Sequence, residues 1–391
     1  MANNNLQDAK KAKNDEFYTQ YQDIEKEIGA YLEYNPDLFR GKTLLLPCDD
    51  PEWSNFTKYF AQNFVRLGLK KLMSTSYASE SKKYKYGYQP TLFEMRDPHF
   101  DEYKTNTNGK IFTLTRDKSG DGKLDVDDLE WLYLEGDGDF KSDEIKRLRD
   151  EADIIITNPP FSLFREFLPW IIEKKKYFLI IGNMNAITYK EVFRLIKQNK
   201  VWLGATGNGS DMVFAVPAGT EIAEMDRQKA ARLGYVGNYT RLGNSCWFTN
   251  IDHGRRHQPL TLMPMEENLK FSRHKEIKGK IAYEKYDNYD AIEVPFTDSI
   301  PSDYNGVMGV PISFLDKYSP EQFEIVGMCE NEDLYKLKTK VYTTAECKQA
   351  YIDKFGKKGT YDLNASGVVY RDGLQEKVYQ RVLIRHKKRI K

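Results

Sequence analysis

The residues Ala152-Asp153-Ile154-Ile155-Ile156-Thr157 form an apolar, β-branched run that stops at Asn158-Pro159-Pro160-Phe161. Such a run reads as a strand buried on both faces, the kind found in a parallel sheet covered by helices. Two consecutive prolines end it, because neither has an N–H to give to a sheet ladder. The chain is thereby directed to an α/β fold with this turn on the rim of the sheet. Asn-Pro is also a common turn former, so a plain turn is one reading. The other reading is chemical. The turn offers a side-chain amide oxygen, a backbone carbonyl and an aromatic face together. An exocyclic amine on a flat ring needs two acceptors for its N–H groups and a surface on which the ring stacks.

The flanking pattern supports alternating strands and helices. Tyr21, Ile24, Ile28, Tyr31 and Leu32 have helical spacing. A strand is expected from Lys42 to Pro47, a helix through Phe56, Tyr59, Phe60 and Phe64, and a second strand from Lys71. Residues 79–150 interrupt the rhythm as an acidic insert. It resumes with a helix through Phe164 and Ile171, a strand at Phe178–Ile181 and a helix at Val192–Ile196. Met212–Val216 and Cys246–Phe248 read as further strands. Beyond about residue 260 the pattern becomes short mixed strands, so 1–260 is read as one domain and 261–391 as another region.

Composition bounds the class. Hydrophobic residues at 40% and charged residues at 30% suit a globular protein in water. No apolar run approaches the roughly 18 residues that span a bilayer, and no signal-peptide core opens the chain. No membrane partner and a cytoplasmic location are expected. Cys48, Cys246, Cys329 and Cys347 are far apart and read as reduced thiols. Net charge is only +1, but it is uneven. Arg255, Arg256, Arg273, Lys275, Lys278 and Lys280 form one basic zone, and Arg381 to Lys391 another. A phosphate backbone can bind such zones despite a small net charge. A solvated tail is the other reading of the last residues. Arg255 and Arg256 are read as phosphate contacts.

The acidic insert carries Asp117-Lys118-Ser119-Gly120-Asp121-Gly122-Lys123-Leu124-Asp125-Val126-Asp127-Asp128. Asp117, Ser119, Asp121, Asp125 and Asp128 match ligand positions of a calcium loop, with Gly122 at the sharp turn. Asp128 stands where a bidentate Glu is usual, and Ile111–Leu114 before it reads as strand rather than helix. A structural Ca2+ loop and a solvated acidic hairpin are both open.

In open α/β sheets, ligands bind beyond the carboxyl ends of the strands where the strand order reverses. That rule puts Pro47-Cys48-Asp49-Asp50-Pro51 and Asn158-Pro159-Pro160-Phe161 on one rim. At these residues the chain resembles the adenine-N6 DNA methyltransferases of the EcoRI modification type, over most of its length. Asp15-Glu16-Phe17-Tyr18-Thr19, the 44–51 loop with Ser54-Asn55-Phe56, and Leu134 to Phe140 resemble segments of that family. So do Ile180 to Thr188, Asn244 to Asn250, Tyr286 to Ile292 and Gly306 to Pro311.

The resemblance implies a class I, Rossmann-like, S-adenosylmethionine-dependent methyltransferase domain followed by a DNA target-recognition region. It implies a site-specific enzyme that flips an adenine out of double-stranded DNA and methylates its amine. Such an enzyme serves a restriction-modification system or acts as an orphan, and a monomer suffices for one flipped base at a time. The implied catalytic residues are Asn158, Pro159, Pro160 and Phe161. The implied cofactor residues are Phe17, Tyr18, Thr19, Pro47, Cys48, Asp49, Asp50, Asp139 and Phe140. Trp247 or Phe248 would cover the second face of the base, or else pack in the core.

The chain departs from the wider methyltransferase pattern twice. The cofactor loop lacks a glycine triplet, and no carboxylate ends the strand Lys71–Ser76; Glu80 is out of register. Methylation of RNA adenine or of a protein glutamine, and a non-catalytic DNA-binding protein of the same fold, are the competing readings.

Overall fold

Eleven strands occur among the described residues before residue 255. They are β1 (Tyr18–Thr19), β2 (Thr43–Leu46), β3 (Lys71–Ser76), β4 (Lys110–Leu114), β5 (Glu130–Tyr133), β6 (Ile154–Thr157), β7 (Tyr177–Asn183), β8 (Trp202–Leu203), β9 (Met212–Ala215), β10 (Tyr239–Leu242) and β11 (Ser245–Thr249). The structure is a computed structural model that describes residues 17–49, 54–78, 98–206, 212–216 and 220–387. It divides into two units, Met1–Phe193 with Val201–Gly254, and Arg194–Lys200 with Arg255–Lys391.

Eight strands of the first unit make one sheet in the order β5-β4-β3-β2-β6-β7-β11-β8. Its centre is parallel: β2 pairs with β3 and β6, and β6 with β7. Every residue of β2 and β6 is buried, which accounts for their unbroken apolar runs. The edges are antiparallel, at β3–β4, β4–β5, β7–β11 and β11–β8. The insert therefore interrupts the chain's rhythm but not its sheet, since β4 and β5 extend the β3 edge. The helix Tyr21–Tyr34 buries Ile24, Glu27, Ile28 and Tyr31, one stripe at helical spacing. The helix Asn55–Gln62 starts where Ser54 accepts a hydrogen bond from Phe56 N at 3.1 Å.

The chain leaves β2 for β3 on one side and later fills β6 and β7 on the other. The strand order thus reverses between β2 and β6, and a crevice opens beyond their carboxyl ends. A separate small sheet, β1-β9-β10, supplies the Phe17–Thr19 segment to that rim.

The second unit holds β12 (Ala291–Glu293), β13 (Val307–Pro311), β14 (Phe323–Met328), β15 (Val368–Arg371), β16 (Leu374–Lys377) and β17 (Arg381–His386). Four of them form the sheet β12-β13-β17-β14, and β15-β16 is a hairpin. Within it the Arg381 guanidinium grips the buried Glu293 carboxylate, with its closest contact at 2.6 Å. No helix among the described residues is long and apolar enough to cross a membrane.

Candidate active site

The ends of β2 and β6 are tied together by the Thr157 hydroxyl, which donates to the Pro47 carbonyl at 2.6 Å. One residue further, the Asn158 amide nitrogen donates to the Phe17 carbonyl. That bond fixes which way the amide faces. The other end, Oδ1, is buried and has no partner among the described residues. A buried acceptor left unpaired costs free energy, so it calls for a partner such as water or a ligand. The turn that follows is closed by Leu163 N donating to Pro160 O at 2.9 Å. Phe161 lies with its ring centroid 5.7 Å from that of Phe17, which in turn meets Phe214 edge-on at 5.9 Å.

Around Asn158 opens a cleft on the rim of the sheet. Phe17, Tyr18 and Thr19 form one wall, Cys48, Asp49, Ser54 and Phe56 another, and Tyr77, Asn158 and Pro160 close it. The loop after β2 is held tightly. Ser54 Oγ donates to Asp49 Oδ1 at 2.7 Å and Thr57 Oγ1 donates to Asp49 O at 3.1 Å. Ser74 Oγ donates to the same carbonyl. Cys48 has φ 69°, the left-handed conformation that glycine adopts most easily. A glycine-free loop thus makes its turn at the cost of strain in one residue. Asn55 Nδ2 donates to Thr19 O at 2.8 Å, while the buried Thr19 hydroxyl has no partner among the described residues. Two unspent polar atoms, Asn158 Oδ1 and Thr19 Oγ1, therefore belong to residues that line one cleft.

The sequence profile of the adenine-specific methyltransferase EcoRI family matches residues 5–387. The chain belongs to the adenine-specific EcoRI methyltransferase family. Among its relatives is the Type II methyltransferase M.EcoRI of Escherichia coli, 45% identical over 329 residues, which cover 84% of this chain and 90% of that protein. Another is the Type II methyltransferase M.MpnI of Mycoplasma pneumoniae, 33% identical over 337 residues, 85% of this chain and 89% of that protein. No solved structure matches. The chain is an adenine-specific DNA methyltransferase, and the family implies that it uses S-adenosylmethionine.

The other residues singled out in the methyltransferase sequence have varied surroundings. Pro47 contributes its carbonyl to Thr157, and Asp50 lies outside the described residues. The loop holding Asp139 and Phe140 packs on the end of β3: Ala78 N donates to Asp137 O at 2.9 Å. A Cβ on Gly109 or on Gly138 would stand 2.5 Å from Ser76 O, so both positions need glycine for this approach. The Phe140 ring is buried against Phe167 and Trp170, away from the cleft. Tyr77 lines the cleft: burial, with added pressure from neighbouring Cys48 and Asp139, pushes its phenol well above its usual range. Tyr77 was not singled out in the sequence; its one signal is its position directly after β3, where a carboxylate was sought.

Trp247 and Phe248 are 1% and 0% exposed on β11. Trp247 packs on Phe56 and Phe248 on Phe164, and neither is among the cleft's lining residues. Arg255 forms an ion pair with Asp316, and Arg256 is buried with its guanidinium 2.5 Å from Asn199 Oδ1.

The calcium reading finds no support in the geometry of its loop. Asp117 accepts from Gly120 N at 2.6 Å and Gly122 N at 2.9 Å, and Ser119 Oγ is 3.3 Å away. Asp128 accepts from Lys118 N, Ser119 N and Asp125 N. Asp121 takes Lys123 N and Asp125 takes Asp127 N. These carboxylates turn to backbone amides rather than converge, and no group of metal-ligating side chains occurs among the described residues. The segment is an acidic hairpin held by its own backbone.

Proposed function

We propose that this enzyme methylates the N6 amine of an adenine flipped out of duplex DNA, with Asn158 as the residue that aligns the amine. The unpaired, buried Asn158 Oδ1 carries this reading. Phe17 O holds the amide nitrogen, so the oxygen stays turned toward a substrate N–H. Pro159 O accepts the second N–H, its own residue having none to donate. Phe161 stacks on the base. Holding both N–H bonds directs the nitrogen lone pair along one line, and most of the acceleration is alignment in a dry cleft. An amide oxygen is too weak a base to take the amine's proton, which leaves to solvent after transfer.

S-adenosylmethionine, when bound, supplies the methyl group as a sulfonium. Phe17, Tyr18, Thr19, Cys48 and Asp49 would hold it, and the unspent Thr19 hydroxyl among them fits such a ligand. Asp139 acts beside them through Tyr77, with Pro47 and Phe140 as supports. The first unit is a class I, Rossmann-like domain on this reading, supported by the reversal of strand order at β2 and β6. The Arg255–Lys391 unit is the target-recognition region. The enzyme works as a monomer, modifying one strand at a time for a restriction-modification system.

The test is transfer of labelled methyl from S-adenosylmethionine to unmethylated duplex DNA. Single-stranded DNA, RNA and an Asn158→Ala control accompany it. Duplex labelling as N6-methyladenine that falls at least about 100-fold in the control is expected. Equal labelling by the control would overturn the role of Asn158, and labelling of RNA alone would overturn the substrate.

A further inference from the structure

Glu27 is a fully buried carboxylate that the chemistry above does not use. It sits on the helix Tyr21–Tyr34, two turns after β1. Its Oε1 accepts from Ala205 N at 2.7 Å. Its Oε2 accepts from Thr206 N at 2.6 Å and from Thr206 Oγ1 at 2.5 Å. The segment it grips directly follows β8. The neighbouring Gly204 has no room for a side chain: a Cβ there would stand 2.3 Å from Glu27 Oε1 and 2.4 Å from Trp247 Cβ. Glycine is what lets the carboxylate reach the two amides.

The two segments joined by Glu27 meet again at the active site. From Thr206 the chain passes through residues 207–211, outside the described residues, into β9. Strand β9 pairs with β1, Tyr18 opposite Ala215 and Thr19 opposite Phe214. Strand β1 leads into the helix that carries Glu27. The carboxylate therefore ties the helix that follows β1 to the segment that precedes β9 in the chain, and the far side of this link is the β1–β9 pair. That side holds Phe17, whose carbonyl orients the Asn158 amide and whose ring meets both Phe161 and Phe214.

We propose that Glu27 is a positioning residue for the methyl transfer: by fixing Ala205 and Thr206 it holds the β1–β9 ribbon, and so Phe17 O, where the Asn158 amide needs it. Two hydrogen bonds to backbone amides and one to a hydroxyl converge on it, more than helix packing requires. Its effect on catalysis passes through Phe17, so Glu27 itself touches neither substrate nor cofactor. The proposal rests on Asn158 as the aligning residue, and its test separates the two.

The test compares wild type with Glu27→Gln, which keeps the shape but turns one acceptor into a donor facing Thr206. Amide hydrogen exchange on the DNA-free protein is read first. Exchange at residues 18–19 and 213–215 is expected to quicken about 10-fold or more, while β2 and β6 keep their wild-type rates. Steady-state kinetics should then show kcat lowered about 10-fold or more with KM for DNA within about 2-fold. Thr206→Ala, which removes one donor, should give the same pattern more weakly. Unchanged exchange in β1 and β9 overturns the proposal whatever the kinetics. Faster exchange there with unchanged kcat overturns the link to Asn158. Faster exchange in every strand makes Glu27 merely structural and also overturns it. The failure of Asn158 as aligning residue is read independently, from the Asn158→Ala control.

Discussion

Asn158 and Glu27 show what single residues reveal in sequence and what they conceal. The Asn-Pro-Pro-Phe turn was legible because prolines and an amide at the end of an apolar run permit few conformations. Its orientation was not, since the Phe17 carbonyl that sets it lies 141 positions away in the chain. Glu27 carries no such signal in sequence, and only the fold brings Ala205 and Thr206 to it. Its burial has a consequence for stability. Desolvation, opposed by the hydrogen bonds from Thr206 and Ala205, pushes its carboxyl from 4.5 up to about 7. The folded protein thus holds a proton that the unfolded chain releases between those values. The contribution to stability is fully present below pH 4.5 and is lost as pH rises through about 7. Thermal melts across this window should show wild-type Tm falling with pH more steeply than that of Glu27→Gln. Parallel curves would place the titration elsewhere.

At the scale of elements, the buried strands were the easiest to read and the edges the hardest. Strands β2, β6 and β7 stand where their apolar runs suggested, because a strand covered on both faces carries its own signal. Strand β4 was visible as Ile111–Leu114, but its antiparallel pairing with β3 was not; Leu72 faces Leu114 across 42 positions. Strand β1 has two residues and no pattern at all. The loop between β4 and β5 was ambiguous in sequence for a chemical reason. The small acidic and glycine residues that wrap a calcium ion also wrap backbone amides around a carboxylate. Asp128 does the latter, and hydrogen bonds from Ser119, Lys118 and Asp125 amides hold its carboxyl below the usual range. This stabilisation is present at neutral pH and is lost as pH falls through the depressed value. Asp128→Ala should therefore lower Tm, and the difference should shrink in acid. Calcium chloride against a chelator should leave the wild-type Tm within about 1 °C. A calcium-dependent rise that Asp128→Ala abolishes would restore the metal reading.

For the whole molecule, the question is which charges are left for DNA when net charge is only +1. Sequence grouped its cations into zones, yet the fold commits many of them. Arg381 is buried on Glu293, Arg385 pairs with Glu324, and Arg255 pairs with Asp316. Arg273 pairs with Asp298 and Lys280 with Glu284. Lys275 and Lys278 differ, being exposed with no ion pair among the described residues. Apart from Lys280–Glu284, these pairs join partners far along the chain, so a charge count cannot foresee them. The two classes should separate by experiment. Arg381→Ala leaves the Glu293 carboxylate buried and unpaired, which costs about 3–5 kcal/mol of stability. It should lower Tm while DNA affinity of the folded protein keeps its salt dependence. Lys275→Ala with Lys278→Ala should leave Tm unchanged. If both lysines meet phosphates, each releases about 0.9 counterions, and the slope of log affinity against log salt becomes shallower by about 2. Titrations of a duplex at several salt concentrations read this directly. An unchanged slope in the double variant would remove both lysines from the DNA surface, and a shallower slope in Arg381→Ala would mean that the Glu293 pair opens to meet the phosphate backbone.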